Sequence, residues 1–131
     1  LTGNKVPLHG GGRAEKSYIH ARDLGRAIYL VSEKAPLGKI YNAGPKEPTS
    51  IKQVVQLCAN ALEKNFDEIC EMAPDRLGQD SKYWLNSVEI FKDVGWQQEI
   101  LWELGLNDMV DWGNKYINEL RNYPMDYILR A

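Results

Sequence analysis

The clearest pattern in the chain is an apolar stripe that begins after residue 50 and repeats with the period of an α-helix. Ser50 and Gln53 have the spacing of a capping box, in which each side chain bonds the other residue's backbone N–H. The apolar positions that follow are Ile51, Val54, Val55, Cys58, Ala61 and Leu62. Because residues three and four apart share one face of a helix, this pattern predicts an amphipathic helix.

A second helix is predicted after residue 23, where Asp23 has the character of an N-cap. Its apolar positions are Ala27, Ile28, Leu30 and Val31. Pro36 and Gly38 follow, and both disfavour continuation of a helix. The helix is therefore expected to end before Pro36.

Two more helices are predicted in the second half of the chain. Asn86 and Glu89 repeat the capping-box spacing, and Gly95 is placed to close this short helix in the C′ position. The last helix is predicted over residues 102–122. A tail over residues 123–131 follows it and carries apolar anchors, so we expect it to pack against another surface.

Short runs of extended-type residues predict strands at 17–20, 39–43 and 68–72. The opening residues 1–15 are rich in Gly and lack a period, so they are predicted to be loop. Strands that alternate with helices indicate an α/β class, here a mixed α+β arrangement. These strands are too few to close a βαβ architecture, so we expect part of the surface that the helices need to lie outside this chain.

Composition narrows the class of protein. The chain has 131 residues and a net charge of −2, so it is one domain or part of one, and broad electrostatic binding to nucleic acid or an anionic membrane is not expected. No apolar run reaches the ~20 residues of a membrane span. Cys58 and Cys70 belong to no metal or C-x-x-C pattern, and Cys58 is expected to be a buried free thiol in a reducing cytoplasm. The chain starts at Leu1, so we expect it to begin partway through a longer protein.

Residues 75–83 form a charge-dense segment, with five ionisable side chains around one glycine. Arg76 carries a planar fork that suits phosphate oxygens, Lys82 adds a point charge, and Gly78 lets the backbone approach a ligand. An ordinary charged surface loop is the alternative interpretation. The density of charge favours a loop that contacts a phosphorylated ligand.

Positive charge is also concentrated near the start of the chain, at Arg13, Lys16, Arg22 and Arg26. These residues could form half of a diphosphate clamp with Arg76 as the other half, or a solvated basic face. The glycines at 10–12 lack the pattern of a P-loop or a dinucleotide turn, so a flexible loop is the simpler interpretation of that run.

No catalytic centre is evident in the sequence. His9 and His20 have no partners spaced for a triad or a metal site. Tyr18 and Arg22 have the spacing of a Tyr-x-x-x-Lys pair, but Arg stands where Lys is required.

Several motifs, taken in order, resemble the later half of extended short-chain dehydrogenase/reductases that act on nucleotide sugars. They read P-L-H-G-G-G over 7–12, K-S-Y-I-H-A-R-D-L-G-R-A over 16–27, G-K-I-Y-N-A-G over 38–44, S-I-K-Q-V-V over 50–55 and D-R-L-G-Q-D-S-K-Y over 75–83. The last segment, with Gly95, Trp96 and a terminal helix after it, is most similar to dTDP-glucose 4,6-dehydratases, which carry D-R-P-G-H-D-x-R-Y there. The resemblance covers about residues 5 to 120.

The resemblance implies a C-terminal domain over residues 1–122 that binds a nucleoside-diphosphate sugar, with the tail at 123–131 outside the match. The N-terminal Rossmann domain, which holds NAD in the family, would be missing from this chain. A homodimeric parent protein is also possible on this basis. The family's Tyr/Lys pair and its acid and base map onto no residue here, so the chain alone is expected to be inactive.

The resemblance also implies site residues, each carried over by position. The family's phosphate-binding Arg falls on Lys16, and the polar residue before its V-V helix falls on Ser50. Its D-R-P-G-H segment falls on residues 75–79 and supplies Asp75, Arg76 and Gln79. Lys16, Leu77 and Gln79 depart from the family's Arg, Pro and His, which leaves the preferred nucleotide open.

The function implied is that of the substrate-binding portion of a cytoplasmic, NAD-dependent 4,6-dehydratase that makes a 4-keto-6-deoxy sugar nucleotide. A nucleotide-sugar epimerase or decarboxylase of the same superfamily is the nearest alternative. A non-catalytic nucleotide-binding or interaction module is the alternative from a different class.

Overall fold

A computed structural model describes residues 1–123 as helices packed around two small sheets. In chain order the elements are β1 (Val6–His9), a 3₁₀ turn (Gly10–Gly12), β2 (Glu15–Lys16), α1 (Ala21–Lys34), β3 (Thr49–Ser50), α2 (Ile51–Ala61), α3 (Phe66–Ile69), β4 (Cys70–Ala73), β5 (Lys82–Tyr83), α4 (Val88–Val94), α5 (Trp102–Lys115) and α6 (Ile117–Leu120). The mixture of helices and short strands confirms the predicted fold class. None of these helices is long and apolar enough to cross a membrane.

Each of the two sheets contains one pair of parallel strands. In the first sheet β1 and β4 run parallel, with Val6 opposite Cys70 and His9 opposite Ala73. In the second sheet β2 is central and pairs antiparallel with β3 and parallel with β5. The chain therefore passes twice from the first sheet to the second in the same direction, once from β1 to β2 and once from β4 to β5.

One apolar core lies between α1 and α4. Trp96 and Ile90 are fully buried there, together with Ala27 and Val94. The indole Nε1–H of Trp96 donates to the backbone carbonyl of Asp23 at 2.9 Å, so its polar atom is satisfied. Truncating such a buried aromatic side chain typically costs about 3–5 kcal/mol.

The second core lies between the β1–β4 sheet and α2. It is built from Leu8, Val55 and Cys70, all buried. Cys58 is half-buried, and both cysteines are free thiols. The prediction of a free thiol at Cys58 is confirmed, but the predicted burial is not, because Cys58 is only partly buried and Cys70 is the buried cysteine.

The helix predicted after residue 50 is confirmed as α2. Ser50 is its N-cap, and the Ser50 hydroxyl accepts the backbone N–H of Gln53 at 3.2 Å. The Gln53 side chain accepts the backbone N–H of Ser50 at 2.9 Å, which completes the capping box. Local signals were sufficient here because all the groups involved lie within one turn.

The prediction of Asp23 as the N-cap of α1 is wrong. The N-cap is His20, whose Nδ1 accepts the backbone N–H of Arg22 at 3.3 Å. Asp23 lies in the first turn and is only 1% exposed. Its carboxylate is used in tertiary contacts instead, where it accepts the backbone N–H of Ile100 at 2.9 Å.

The predicted Asn86–Glu89 capping box is also wrong. The N-cap of α4 is Ser87, which makes no side-chain capping bond, while Asn86 Oδ1 accepts the backbone N–H of Val88 at 2.9 Å. The Glu89 carboxylate binds Lys39 Nζ at 3.3 Å, so it is not available to the helix start. At the other end of α4, Gly95 has a φ of 74°, which confirms the predicted C-terminal glycine.

Two predicted strands are corrected. The strand expected at 17–20 lies earlier, at β2, because the Ser17 hydroxyl accepts the backbone N–H of Leu85 at 3.0 Å and is held by this side-chain contact. Residues 39–43 form no strand. Their side chains attach to α4 instead, where Tyr41 donates to Asp93 at 2.6 Å.

The structure also differs from the predictions for the opening segment, for residues 68–72 and for residues 102–122. The opening segment, predicted as loop, contains β1, whose partner lies more than sixty positions later in the chain. The strand predicted at 68–72 is β4, displaced by the short helix α3. The helix predicted over 102–122 is broken at Tyr116, which has φ −109° and ψ 18°, into α5 and α6. The predicted tail lies outside the described residues beyond Tyr123.

Candidate functional site

The candidate site lies where the two connections between the sheets run side by side. Residues 10–14 join β1 to β2, and residues 74–81 join β4 to β5. The backbone N–H of Glu15 donates to the Ser81 carbonyl at 2.9 Å and fixes one connection against the other. Both connections leave the carboxyl ends of parallel strands, which is where ligands bind in many parallel sheets.

At the start of the charged loop, Asp75 lies against Gly10. A Cβ placed on Gly10 would come within 2.4 Å of Asp75 Oδ1, and the φ of Gly10 is +54°. Only glycine meets both conditions without strain, so this close approach explains the residue at position 10. The neighbouring His9 Nδ1 lies 2.8 Å from the Pro74 carbonyl and ties the same two connections together.

Ion pairs and charge-assisted hydrogen bonds continue along the two connections. Arg13 Nη2 lies 3.3 Å from Asp75 Oδ2. Lys16 Nζ donates to the Asp80 carbonyl at 3.3 Å and lies 5.8 Å from the centre of the Tyr83 ring. The two cations therefore contact opposite ends of the charged loop.

A polar cavity of about 210 Å³ lies between the connections. Its lining residues are His9, Gly10, Arg13, Ala14, Asp75, Gln79, Asp80 and Ser81. The lining combines a guanidinium, an imidazole, an amide and two carboxylates, so the cavity suits a polar and charged group rather than an apolar one.

The structure places the five predicted site residues in different positions relative to this cavity. Asp75 and Gln79 line it, and Lys16 contacts its Asp80 end. Arg76 donates its backbone N–H to Asp75 Oδ1 at 3.0 Å, but its side chain is not part of the lining. The Ser50 hydroxyl caps α2, one strand away, where Ser50 pairs with Glu15.

The four-residue basic cluster is divided in the structure. Arg13 and Lys16 contact the charged loop, whereas Arg22 binds Asp108 and Arg26 binds the buried Asp23 at 3.1 Å. Both arginines of α1 are thus neutralised away from the cavity. The spacing of Asp23 and Arg26 within one helical turn is visible in the sequence, but the Arg22–Asp108 pair is not, because Asp108 lies on the distant α5.

His9 and Asp80 were not predicted as site residues. His9 was considered only for a triad or a metal site, and Asp80 only as part of the 75–83 segment. The available signal was topological: His9 ends a strand parallel to the one that Ala73 ends. Pairing these two strands from the sequence would have placed His9 at the site.

The described residues also bear on catalysis. Burial raises the pKa of the Tyr18 phenol, and the Cys58 thiol nearby raises it further. A phenol with a raised pKa is a poor base at neutral pH. Arg22, which has the spacing of the Lys in a Tyr-x-x-x-Lys pair with Tyr18, binds Asp108 instead. Within residues 1–123 no group of three or more His, Cys, Asp or Glu side chains is placed to hold a metal ion.

Comparison with known proteins identifies relatives of this chain, although no protein-family model matches it. It is 30% identical over 122 residues to the dTDP-glucose 4,6-dehydratase of Haemophilus influenzae, covering 86% of this chain and 36% of the enzyme. Among solved structures it resembles a dTDP-glucose 4,6-dehydratase from Bacillus anthracis in complex with NAD, with 28% identity, a TM-score of 0.78 and coverage of 88% and 36%. It resembles the UDP-glucose 4-epimerase of Thermotoga maritima, solved with UDP-glucose, with 25% identity, a TM-score of 0.79 and the same coverage.

These matches define the class of protein. The matched region is the C-terminal part of the related enzymes. The chain is therefore similar to the C-terminal part of nucleotide-sugar dehydratases and epimerases of the extended short-chain dehydrogenase/reductase family. It spans only 17% to 36% of the length of the first curated relatives that it matches.

Proposed function

We propose that this chain is the substrate-binding portion of an NAD-dependent nucleotide-sugar 4,6-dehydratase, which makes a 4-keto-6-deoxy sugar nucleotide. The observation that carries the proposal is the meeting of Lys16 with the loop at 75–81 around a polar cavity. The carboxyl ends of two parallel strands position this cavity, in a chain whose relatives include dTDP-glucose 4,6-dehydratases.

In this proposal the diphosphate is bound by Lys16 and Arg76. The Lys16 ammonium has three N–H donors and uses one of them on the Asp80 carbonyl, so it can also contact a phosphate oxygen. Arg76 is exposed and follows the residue that lines the cavity, so its fork can turn toward a bound phosphate.

The remaining proposed residues act on the nucleotide or on the shape of the site. Gln79 offers both an amide donor and an acceptor to a base or ribose. Asp75 lines the entry to the loop. Ser50 acts through the strand pairing with Glu15, since its hydroxyl already caps α2.

NAD, when bound, would accept a hydride from the sugar and return it later in the reaction. The described residues do not fit this cofactor, because Gly10–Gly12 leads through a 3₁₀ turn into β2 and not into a helix that could receive a pyrophosphate. We therefore place the NAD site in a Rossmann portion outside residues 1–123. The acid and base of the elimination are proposed to lie there too, so the chain alone is expected to be inactive.

We further propose that the Rossmann portion covers a groove of about 760 Å³ beside α4. Trp84, Val88, Phe91 and Leu101 line this groove, and each is roughly half to two-thirds exposed. Apolar side chains gathered around one groove are typical of a surface that packs against another domain. The free thiols at Cys58 and Cys70 suit the reducing cytoplasm in which we propose that the enzyme works.

A 4-epimerase is the second candidate, because the epimerase of Thermotoga maritima superimposes as well as the dehydratase does. The test is the mass of the product formed from dTDP-glucose or UDP-glucose by a protein that carries this chain together with an NAD-binding portion. A 4,6-dehydratase gives a product lighter by one water. An unchanged mass with inverted C4 would establish the epimerase, and absence of any reaction alongside tight nucleotide binding would favour a non-catalytic module.

The same protein tests the diphosphate contacts. Losing one charge-assisted phosphate contact costs roughly 1.5–3 kcal/mol, so Arg76→Ala is expected to raise the Michaelis constant roughly ten- to a hundredfold. Lys64→Ala is the matched control, since Lys64 is exposed on the loop after α2. An unchanged Michaelis constant in Arg76→Ala would remove Arg76 from the proposed site.

A further inference from the structure

We infer that Arg13 is an additional binding residue for the diphosphate and that Asp75 holds it in place until the ligand arrives. This inference rests on the proposed function, because it concerns the same cavity. It assigns Asp75 the role of a stand-in for the phosphate.

The first support is the state of the Arg13 side chain. Its guanidinium lines the cavity and contacts Asp75 Oδ2 at 3.3 Å. Within the part of the chain that the structure describes, Asp75 is the one side chain bonded to it. The Arg13 side chain is 78% exposed and that of Asp75 is 66% exposed. An ion pair this exposed contributes little to stability, so a competing anion can replace it at low cost.

The second support is what the Asp75 carboxylate accepts. One oxygen accepts a hydrogen bond from the Arg13 guanidinium, and the other accepts one from the backbone N–H of Arg76 at 3.0 Å. A phosphate accepts hydrogen bonds from the same two kinds of donor, a guanidinium and a backbone N–H. Asp75 thus occupies the donors that a phosphate group would use at this end of the cavity.

A phosphate could not simply be added beside Asp75. The carboxylate rests against Gly10, where a Cβ would be 2.4 Å from its oxygen, so no space remains on that side. Two anions in contact also repel each other. Binding therefore requires the Asp75 side chain to move away, so that the Arg13 guanidinium and the backbone N–H of Arg76 can donate hydrogen bonds to the phosphate.

The position of Arg13 also compensates for a departure from the family pattern. The resemblance places an Arg at position 16, where this chain has Lys, a point charge without a planar fork. Arg13 supplies a planar guanidinium three residues before Lys16, on the connection that leads into β2. Arg13 and Lys16 contact opposite ends of the charged loop, so together they can contact both phosphates of a diphosphate.

The test is calorimetric titration of the 131-residue chain with inorganic pyrophosphate and, separately, with UDP. Asp75→Asn releases Arg13 and removes the competing charge, so pyrophosphate affinity is expected to rise about fivefold. Asp80→Asn is the matched control, because it removes the same charge from the same cavity without touching Arg13. It should change the affinity by no more than about twofold.

The coupling between the two residues gives the sharper result. Arg13→Met is expected to weaken pyrophosphate binding about tenfold. In the Arg13→Met background, Asp75→Asn should raise the affinity for pyrophosphate no more than Asp80→Asn does, because there is no longer a guanidinium to release. Both side chains are exposed, and circular dichroism verifies that each variant is folded.

The outcomes separate this inference from the proposed function. Weaker binding in Asp75→Asn, or equal effects of Asp75→Asn and Asp80→Asn, overturns the stand-in role. Unchanged binding in Arg13→Met while Lys16→Met weakens it overturns the inference and leaves the proposed function intact. If the unmodified chain binds neither pyrophosphate nor UDP, both this inference and the proposed function are contradicted.

Discussion

Asp23 and Trp96 are joined by a hydrogen bond in the buried core, from the indole Nε1–H of Trp96 to the backbone carbonyl of Asp23 at 2.9 Å. The Asp23 carboxylate also accepts the backbone N–H groups of Glu99 and Ile100, at 3.1 and 2.9 Å. One residue of α1 thereby fixes the whole segment that leads into α5. Burial alone would raise the pKa of Asp23, but hydrogen bonds from Ile100, Arg26 and Glu99 outweigh it and lower the pKa.

Asp23→Asn is therefore expected to lower the free energy of unfolding by about 3 kcal/mol, because an amide cannot accept from all these donors and leaves Arg26 without its buried partner. Urea unfolding monitored by tryptophan fluorescence measures the change. Asp111→Asn, at an exposed position of α5, is the control and should alter stability by less than about 0.5 kcal/mol. Equal effects of the two substitutions would contradict the proposed structural role of Asp23.

Acid is expected to destabilise the contact between residues 39–41 and α4. Hydrogen bonds from Lys39 and Tyr41 lower the pKa of Asp93, and a hydrogen bond from Lys39 followed by the charge of Lys92 lowers that of Glu89. A carboxyl with a lowered folded pKa contributes stability above its unfolded value, ordinarily 3.8 for Asp and 4.5 for Glu. That contribution is lost as the pH falls through the folded pKa.

Unfolding measured between pH 7 and pH 3 tests this dependence. Lys39→Met removes the main cause of both shifts, so the decline in stability with acid should be shallower than in the unmodified chain. Lys64→Met removes an exposed positive charge from the loop after α2 and should leave the decline unchanged. Parallel acid profiles for the unmodified chain and Lys39→Met would show that this contact contributes nothing.

Substitutions at two glycines should have opposite effects on stability. Gly10→Ala must accept a positive φ and a Cβ that collides with Asp75, so we expect a loss of at least about 1 kcal/mol. Gly25 lies inside α1 with open space around it, so Gly25→Ala should gain about 0.5–1 kcal/mol. Thermal unfolding compares the two, and a stabilising Gly10→Ala would contradict the close packing of Asp75 on Gly10.

The exposed apolar groove beside α4 is expected to make the isolated chain associate. Phe91 is 54% exposed while its neighbour Ile90 is 1% exposed. Phe91→Glu should reduce association without loss of the fold, whereas Ile90→Glu places a charge in the core and should unfold the chain. Analytical ultracentrifugation and circular dichroism measure the two effects. A strictly monomeric unmodified chain would count against a covering domain.

Sequence reasoning succeeded where the decisive contacts are local. The capping box at Ser50 and the C-terminal glycine at Gly95 each involve groups within one helical turn. It failed at residues 39–43, whose extended-type composition is real but which no neighbouring strand pairs with in the described region. It also failed at Asp23, because the backbone N–H groups that donate to its carboxylate lie more than seventy positions away.

The same distinction between local and distant contacts applies to the candidate site. Residues 75–83 could be singled out from the charges gathered around Gly78, and the resemblance supplied Lys16 as their partner. The pairing of β1 with β4, which places His9 and Arg13 at the cavity, depends on a contact between distant segments. The sequence therefore indicated the kind of ligand before it indicated which side chains surround the cavity.

The central claim is that this chain binds a nucleoside diphosphate through the cavity between the two sheet connections. Calorimetric titration of the chain with UDP, dTDP and GDP tests it most directly. The account predicts saturable binding of at least one of them, weakened roughly tenfold or more by Lys16→Met and unaffected by Lys64→Met. Absence of binding to all three, or binding that Lys16→Met leaves unchanged, would contradict the claim.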